Sequence, residues 1–162
     1  MTAATESLFV AAALKSWEIW LTRLDKTFSS LTDEQLEHPI APGRNRAFYI
    51  LGHLIAVNDT MIPQLRLGEA SYPELFEPFV KQPDRTATSY PAAAELRQSW
   101  KSLNHRIASL LTQLSPDEWL ERHATVSEED FAKEPHRNRL AVLLSRTSHL
   151  SYHLGQLQLL EK

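Results

Sequence analysis

Hydrophobic residues recur along this chain at alternating spacings of three and four, the interval that gathers side chains on one side of an α-helix. Val10, Leu14, Trp17, Leu21, Leu24, Phe28 and Leu31 form the first seam and predict a helix over 6–31. Pro39, Pro42 and Gly43 mark a turn over 32–44. Asn45 then offers an N-cap to a second helix over 46–67, with Ile50, His53, Leu54, Val57, Met61 and Leu65 on its inner side. Pro63 removes one backbone hydrogen bond and crowds the turn before it, so this helix is expected to kink or restart there, and Gly68 suits its end.

Residues 69–90 contain Pro73, Pro78 and Pro83 and keep no sustained period, and they read as one long ordered connection. About 20 residues at roughly 3.3 Å each reach well beyond the ~30 Å of a helix, so the second and third helices can run parallel. Pro91 opens the third helix, whose seam is Ala93, Leu96, Trp100, Leu103, Ile107, Leu110 and Leu114. Ser115-Pro116-Asp117-Glu118 reads as a capping box and predicts a short helix through Trp119 and Leu120. After a polar loop over 122–137, Asn138 caps the fourth helix. Leu143, Arg146, Leu150, His153, Leu157 and Leu160 lie on its inner side, flanked by Val142, Ser145, His149 and Gln156. No strand pattern competes. The expectation is an all-α chain, one four-helix bundle domain over 1–162 with a long overhand connection between helices two and three. An internal echo is also visible: Pro42-Gly43-Arg44-Asn45-Arg46 and Pro135-His136-Arg137-Asn138-Arg139 each precede a helix with an inward histidine, and both read as capping signals.

Composition narrows the chemistry. The 162 residues are 43% hydrophobic, enough for one core, and include no Cys, so disulfides, cysteine-ligated metals and a thiol nucleophile on the protein are excluded. The four glycines are too scattered for a phosphate-cradling loop. A net charge of -3 without a basic stripe argues against nucleic acid. The apolar run from Leu8 to Leu14 is too short to span a bilayer and follows Glu6, so neither a membrane anchor nor a signal peptide is expected, and a cytoplasmic protein is.

The anomaly lies on the fourth helix, which spends inner positions on Arg146, His149, His153 and Gln156. Buried polar groups are costly unless partnered. His149 and His153 are one turn apart and can share a metal ion, and His53 offers a third nitrogen from a facing helix. Three neutral imidazoles with open positions describe a catalytic metal site better than a closed structural one, while core histidines satisfied by carbonyls remain the alternative. His105 falls on the outer side of the third helix, and His38, His123 and His136 fall in loops. All four are expected at the surface, with His136 able to overhang a site.

At these residues the chain resembles the DinB/YfiT-like metalloenzymes. The likeness rests on Leu51-Gly52-His53-Leu54 and on His149-Leu150-Ser151-Tyr152-His153-Leu154-Gly155-Gln156-Leu157, which fits that family's H-x3-H-x-G-Q pattern. The resemblance implies that His53, His149 and His153 ligate one divalent metal, with zinc, nickel, iron and manganese all admissible. It implies an up-down-down-up bundle, frequent homodimers, and two kinds of chemistry: transfer of low-molecular-weight thiols such as bacillithiol or mycothiol, and metal-dependent hydrolysis. With no Cys in the chain, the sulfur in a thiol transfer has to arrive with a small-molecule cosubstrate and attack a separate electrophile.

Arg146, three residues before His149, can hold a carboxylate of that cosubstrate or pair with an acid on a neighbouring helix. Tyr49 can line the pocket, donate a proton or simply pack. Gln156 can orient a ligand, and Gly155 can permit close helix approach. Trp17, Trp20, Trp100 and Trp119 are expected in the core or at an interface. No strong general base stands out. Glu129 and Asp130 read as a solvated acidic loop, which favours sulfur transfer over hydrolysis. A non-catalytic, stress-associated metal bundle and a plain helical interaction module remain alternatives at this point.

Overall fold

A computed structural model describes residues 3–160, so two residues at each end of the expected 1–162 domain lie outside the described residues. Its regular structure is all helical, with no strand among the described residues. The four long seams appear as α1 (Ala3–Ser30), α3 (Ala47–Asp59), α5 (Ala93–Leu111) and α8 (Arg139–Leu157). Between them stand α2 (Asp33–Glu37), α4 (Met61–Gln64), α6 (Pro116–Trp119) and α7 (Glu128–Lys133). Helix α1 lies along α8, α8 touches α3, α3 lies along α5, and α5 touches α1. The seam residues Val10, Trp17, Leu24, Phe28, Leu96, Trp100, Leu103, Ile107, Leu143, Leu150 and Leu157 are buried between them, whereas Leu14 and Leu21 are half-buried.

Two of the expected loops contain helices. The turn over 32–44 includes α2, started by a reciprocal cap in which Gln35 N–H donates to Thr32 Oγ1 and Thr32 N–H donates to Gln35 Oε1. The loop over 122–137 includes α7, capped by Ser127 Oγ accepting from Asp130 N–H. Both pieces are too short to show a hydrophobic period, and their capping residues were the only available signal.

The second helix differs most from expectation. It begins at Ala47 behind Arg46, and Asn45 makes no cap; Arg46 N–H instead donates to the Asp84 carboxylate at 2.8 Å. The expected break occurs at Thr60, three residues before Pro63, which then sits in the first turn of α4 where its missing N–H costs nothing. Rather than burying one stripe, α3 is buried nearly all round, with only His53 and Val57 half-buried. A helix apolar on every side needs cover on every side. The connection after α4 supplies it, through a 3₁₀ turn at Pro73–Leu75 and a π-helical turn at Glu77–Lys81 that bring buried Leu75 and Phe79 onto α3. The Asp59 carboxylate pins this segment by accepting from the Ser71 and Tyr72 amides at 2.8 and 2.7 Å.

Helix α5 starts one residue after Ala92, not at Pro91, and ends at Leu111, leaving Leu114 beyond it. The capping box at Ser115 and the Asn138 cap both form, the latter by accepting from Ala141 N–H at 2.9 Å. The internal echo is therefore asymmetric: Asn138 caps and Asn45 does not. What the two segments share is a buried arginine at the helix start, Arg46 paired with Asp84 and Glu37, Arg139 paired with Glu121.

Candidate metal centre

His53 leaves α3 toward α8, where His149 and His153 stand one turn apart. The three Nε2 atoms converge: His149 Nε2 lies 3.2 Å from that of His53 and 3.0 Å from that of His153. Each residue offers one ligating nitrogen, all within 4.8 Å of one another. A tetrahedral ion with nitrogen ligands at ~2.0–2.1 Å separates those ligands by about 3.3 Å, so the spacing suits a first-row divalent metal.

The far side of each ring shows how the nitrogens are aimed. His53 Nδ1 lies 2.9 Å from the Phe79 carbonyl oxygen, an acceptor only, so this nitrogen carries the hydrogen and Nε2 presents its lone pair. His153 Nδ1 donates in the same way to Gln156 Oε1 at 2.8 Å, while Gln156 Nε2 donates to the Tyr152 hydroxyl at 2.9 Å. His149 stands between these two lone pairs, and its buried Nδ1 has no hydrogen-bond partner among the described residues. One imidazole hydrogen on its Nε2 satisfies one neighbour at most. A cation satisfies all three nitrogens.

Electrostatics keep the rings neutral. Burial, followed by the charge of His153, His53 and Arg146, pushes His149 down to about 3. Burial and then His53 push His153 down to about 4 against the support of Gln156. His53 is lowered chiefly by burial, with the Phe79 carbonyl opposing and Arg146 assisting. Neutral imidazole is the ligating form.

Two features of the pocket were not foreseen. Phe79 supplies the orienting carbonyl from the π-helical turn, and Gly52 makes room for it: a Cβ on Gly52 would meet the Phe79 ring at 2.3 Å. A glycine beside a candidate ligand histidine was the available signal, but the segment it admits could not be placed from sequence. Tyr49 stacks near His53 with ring centroids 6.3 Å apart and donates its hydroxyl hydrogen to the Gln82 carbonyl at 2.7 Å. Arg146 Nη2 donates to Thr60 Oγ1 and Gln64 Oε1 at 3.3 and 3.2 Å, and no described carboxylate pairs with it. Of the other histidines, His38, His105 and His136 are exposed as expected, whereas His123 is half-buried. Nothing lies within 4 Å of a Cβ placed on Gly155. Glu129 and Asp130 are exposed in the first turn of α7. Trp17, Trp100 and Trp119 are buried and Trp20 is half-buried.

The sequence profile of the DinB superfamily matches residues 17–157. The chain belongs to the DinB superfamily. The match takes in all three histidines and runs from α1 to the last residue of α8. For a DinB protein, three convergent imidazoles point to metal binding, and the donor set fits a divalent ion. No curated relative matches the chain. None of the helices among the described residues is long and apolar enough to cross a membrane.

Proposed function

We propose that this DinB protein holds one divalent transition metal on His53, His149 and His153 and transfers a low-molecular-weight thiol to an electrophile. The convergence of three Nε2 atoms, two of them stripped of hydrogen by Phe79 and Gln156, carries the reading. Zinc, nickel, iron and manganese all suit three imidazoles. A bound divalent ion supplies Lewis acidity that favours the anionic form of a thiol cosubstrate. The thiol proton leaves to solvent, the sulfur electron pair forms the new bond to carbon, and the leaving group departs with its own pair. Sulfur transfer is favoured over hydrolysis because the metal-ligating cluster is made of imidazoles alone, with no carboxylate to act as base toward water.

The chain's own residues then have defined tasks. Gln156 fixes the His153 tautomer, Phe79 fixes that of His53, and Arg146 attracts the anionic end of the cosubstrate. Tyr49, its hydroxyl already donated, serves as a wall of the pocket. We place the helices in an up-down-down-up bundle. In support, Phe28 of α1 packs on Trp100 of α5 while Trp17 and Leu111 share a concavity nearer the other ends, and Arg146 reaches back to Thr60 beyond His53. We assign the protein to the cytoplasm and to a homodimer, for which exposed Leu8, Phe9, Leu144 and Tyr152 provide apolar surface on α1 and α8.

Elemental analysis of natively purified protein, followed by a panel of low-molecular-weight thiols against a generic electrophile, tests the reading. One equivalent of metal and thiol turnover lost in His149→Ala and His153→Ala are expected. Protein that takes up no metal after exchange with zinc, nickel and iron, or turnover that persists in both variants, removes the proposal. Metal-dependent ester or amide cleavage without thiol turnover would replace transferase with hydrolase.

A further inference from the structure

An open concavity of about 250 Å³ is lined by Gln64, His123, His136, Arg137, Ser145 and Arg146 among others, and Arg146 stands three residues before His149 on α8. None of the residues lining it is acidic, in a chain that has 20 Asp and Glu against 17 Lys and Arg. Arg146 is the member that stands apart. The other arginines at the starts of α3 and α8 are buried against carboxylates, Arg46 against Asp84 at 2.6 Å and Arg139 against Glu121 at 3.1 Å. Arg146 has only two neutral oxygens on Nη2 and no carboxylate among the described residues, while its buried Nε, like that of Arg139, has no hydrogen-bond partner there. Burial alone depresses its guanidinium, with no acidic neighbour to support the charge. A desolvated cation of this kind is costly until an anion joins it.

The rim adds to the same field. His123 is lowered by burial and then by Arg137 and Arg66, so positive charge accumulates here, although Arg137 also donates to Glu134 at 3.1 Å. A guanidinium without a carboxylate partner, flanked by imidazoles and a second arginine, suits a planar or tetrahedral oxyanion.

We propose that this concavity binds the carboxylate or phosphate group of a small-molecule ligand, with Arg146 as the charged anchor and His123, His136 and Arg137 at the rim. Arg146 lies one turn before His149 on α8, so an anion held by its guanidinium is on the same side of that helix as the candidate metal centre. The assignment of that ligand as the thiol cosubstrate rests on the proposed function and makes it an anionic thiol, its sulfur at the histidines and its acid at Arg146. The anion site itself needs no metal.

Calorimetric titration of metal-free and metal-loaded protein with malonate and with inorganic phosphate decides it. Saturable binding of at least one probe is expected, weakened tenfold or more by Arg146→Gln, several-fold by the rim double variant His136→Gln with Arg137→Gln, and unchanged by Lys101→Gln on the exposed side of α5. Tighter malonate names a carboxylate ligand and tighter phosphate a phosphorylated one. Thermal melts establish that each variant folds; should Arg146→Gln fail to fold, the rim variant decides alone. No saturable binding of either probe, or affinity unchanged in the deciding variant, overturns the proposal. Protein that binds malonate through Arg146 yet takes up no metal leaves the anion site standing while the transferase reading falls, and the reverse result removes only the anion site.

Discussion

The Phe79 ring occupies the space over Gly52 that any side chain would claim, at 2.3 Å from where a Cβ would stand. The next residue along α3 is His53, and its Nδ1 hydrogen is held by the carbonyl of that same Phe79. One tight contact thus seats the π-helical turn and aims a candidate metal ligand. Gly52→Ala is expected to cost about 1–3 kcal/mol through overpacking and to weaken metal binding by turning His53. Thermal melts with and without metal separate the two losses, because the second vanishes in a His53→Ala background.

Gln156 bears on the candidate metal centre through His153, whose Nδ1 hydrogen it accepts at 2.8 Å. Gln156→Ala is expected to lower metal affinity about 10–100-fold, as loss of an orienting partner does at other imidazole sites. Competition with a chelating dye measures this. Helix content by circular dichroism should stay unchanged, since Gln156 is only half-buried near the end of α8.

The metal-free protein should lose stability on acidification before its carboxylates titrate. His149 and His153 have folded values near about 3 and about 4, below the ~6.5 of an unfolded histidine. Between pH ~6.5 and ~4 the unfolded chain therefore binds protons that the folded chain refuses. Their stabilisation is complete above pH ~6.5 and declines as pH falls, by at most about 1.4 kcal/mol per pH unit for each histidine. Urea midpoints at pH 7, 6 and 5 read the slope, which should flatten in a His149→Ala, His153→Ala double variant.

The buried pair of Arg46 and Asp84 supports the start of the helix that carries His53. Asp84 accepts from both the guanidinium and the backbone amide of Arg46, and these bonds hold its carboxyl low although burial alone would raise it. Asp84→Asn leaves a guanidinium that is only 10% exposed with the more exposed Glu37 as its remaining acid, and a loss of about 3 kcal/mol is expected. Chemical denaturation measures it. Glu37→Gln, which removes the more exposed partner, should cost well under half as much.

The two echoing segments predict unequal responses. Asn138→Ala deletes a formed cap and should cost about 1 kcal/mol, while Asn45→Ala should stay near zero. Equal losses in the two melts would contradict the asymmetry.

What sequence made legible followed physical range. The long seams of α1, α5 and α8, the break ahead of Pro63 and the caps at Ser115 and Asn138 all depend on residues within a few positions of each other. Their periodicity and hydrogen-bonding chemistry are written locally. The convergence of His53 with His149 and His153 was inferable because three histidines occupied apolar helix faces, where an unpartnered imidazole is costly. Asn45 misled because the helix starts one residue later, with Arg46 as N-cap bonded to Asp84 38 positions away and the Ala47 amide donating to the His38 carbonyl. Phe79 stayed hidden because a π-helical turn has no hydrophobic period, and Arg146 without an acid is a fact about every neighbouring element at once. Helices α2 and α7 were missed for the opposite reason: their signals were local but too short to outweigh the turn residues around them.

The separation of His53 from His149 by 96 positions has a further consequence for the life of the chain. Two of the three candidate ligands belong to α8, the final long helix of the described residues, and the third stands on α3. A polypeptide emerging from synthesis N-terminus first presents a single imidazole until that helix forms and docks. The pocket is thus assembled by long-range closure, the slowest kind of contact to make. The three-imidazole cluster is therefore complete only after α8 has docked on α3, and partly made chains do not present it.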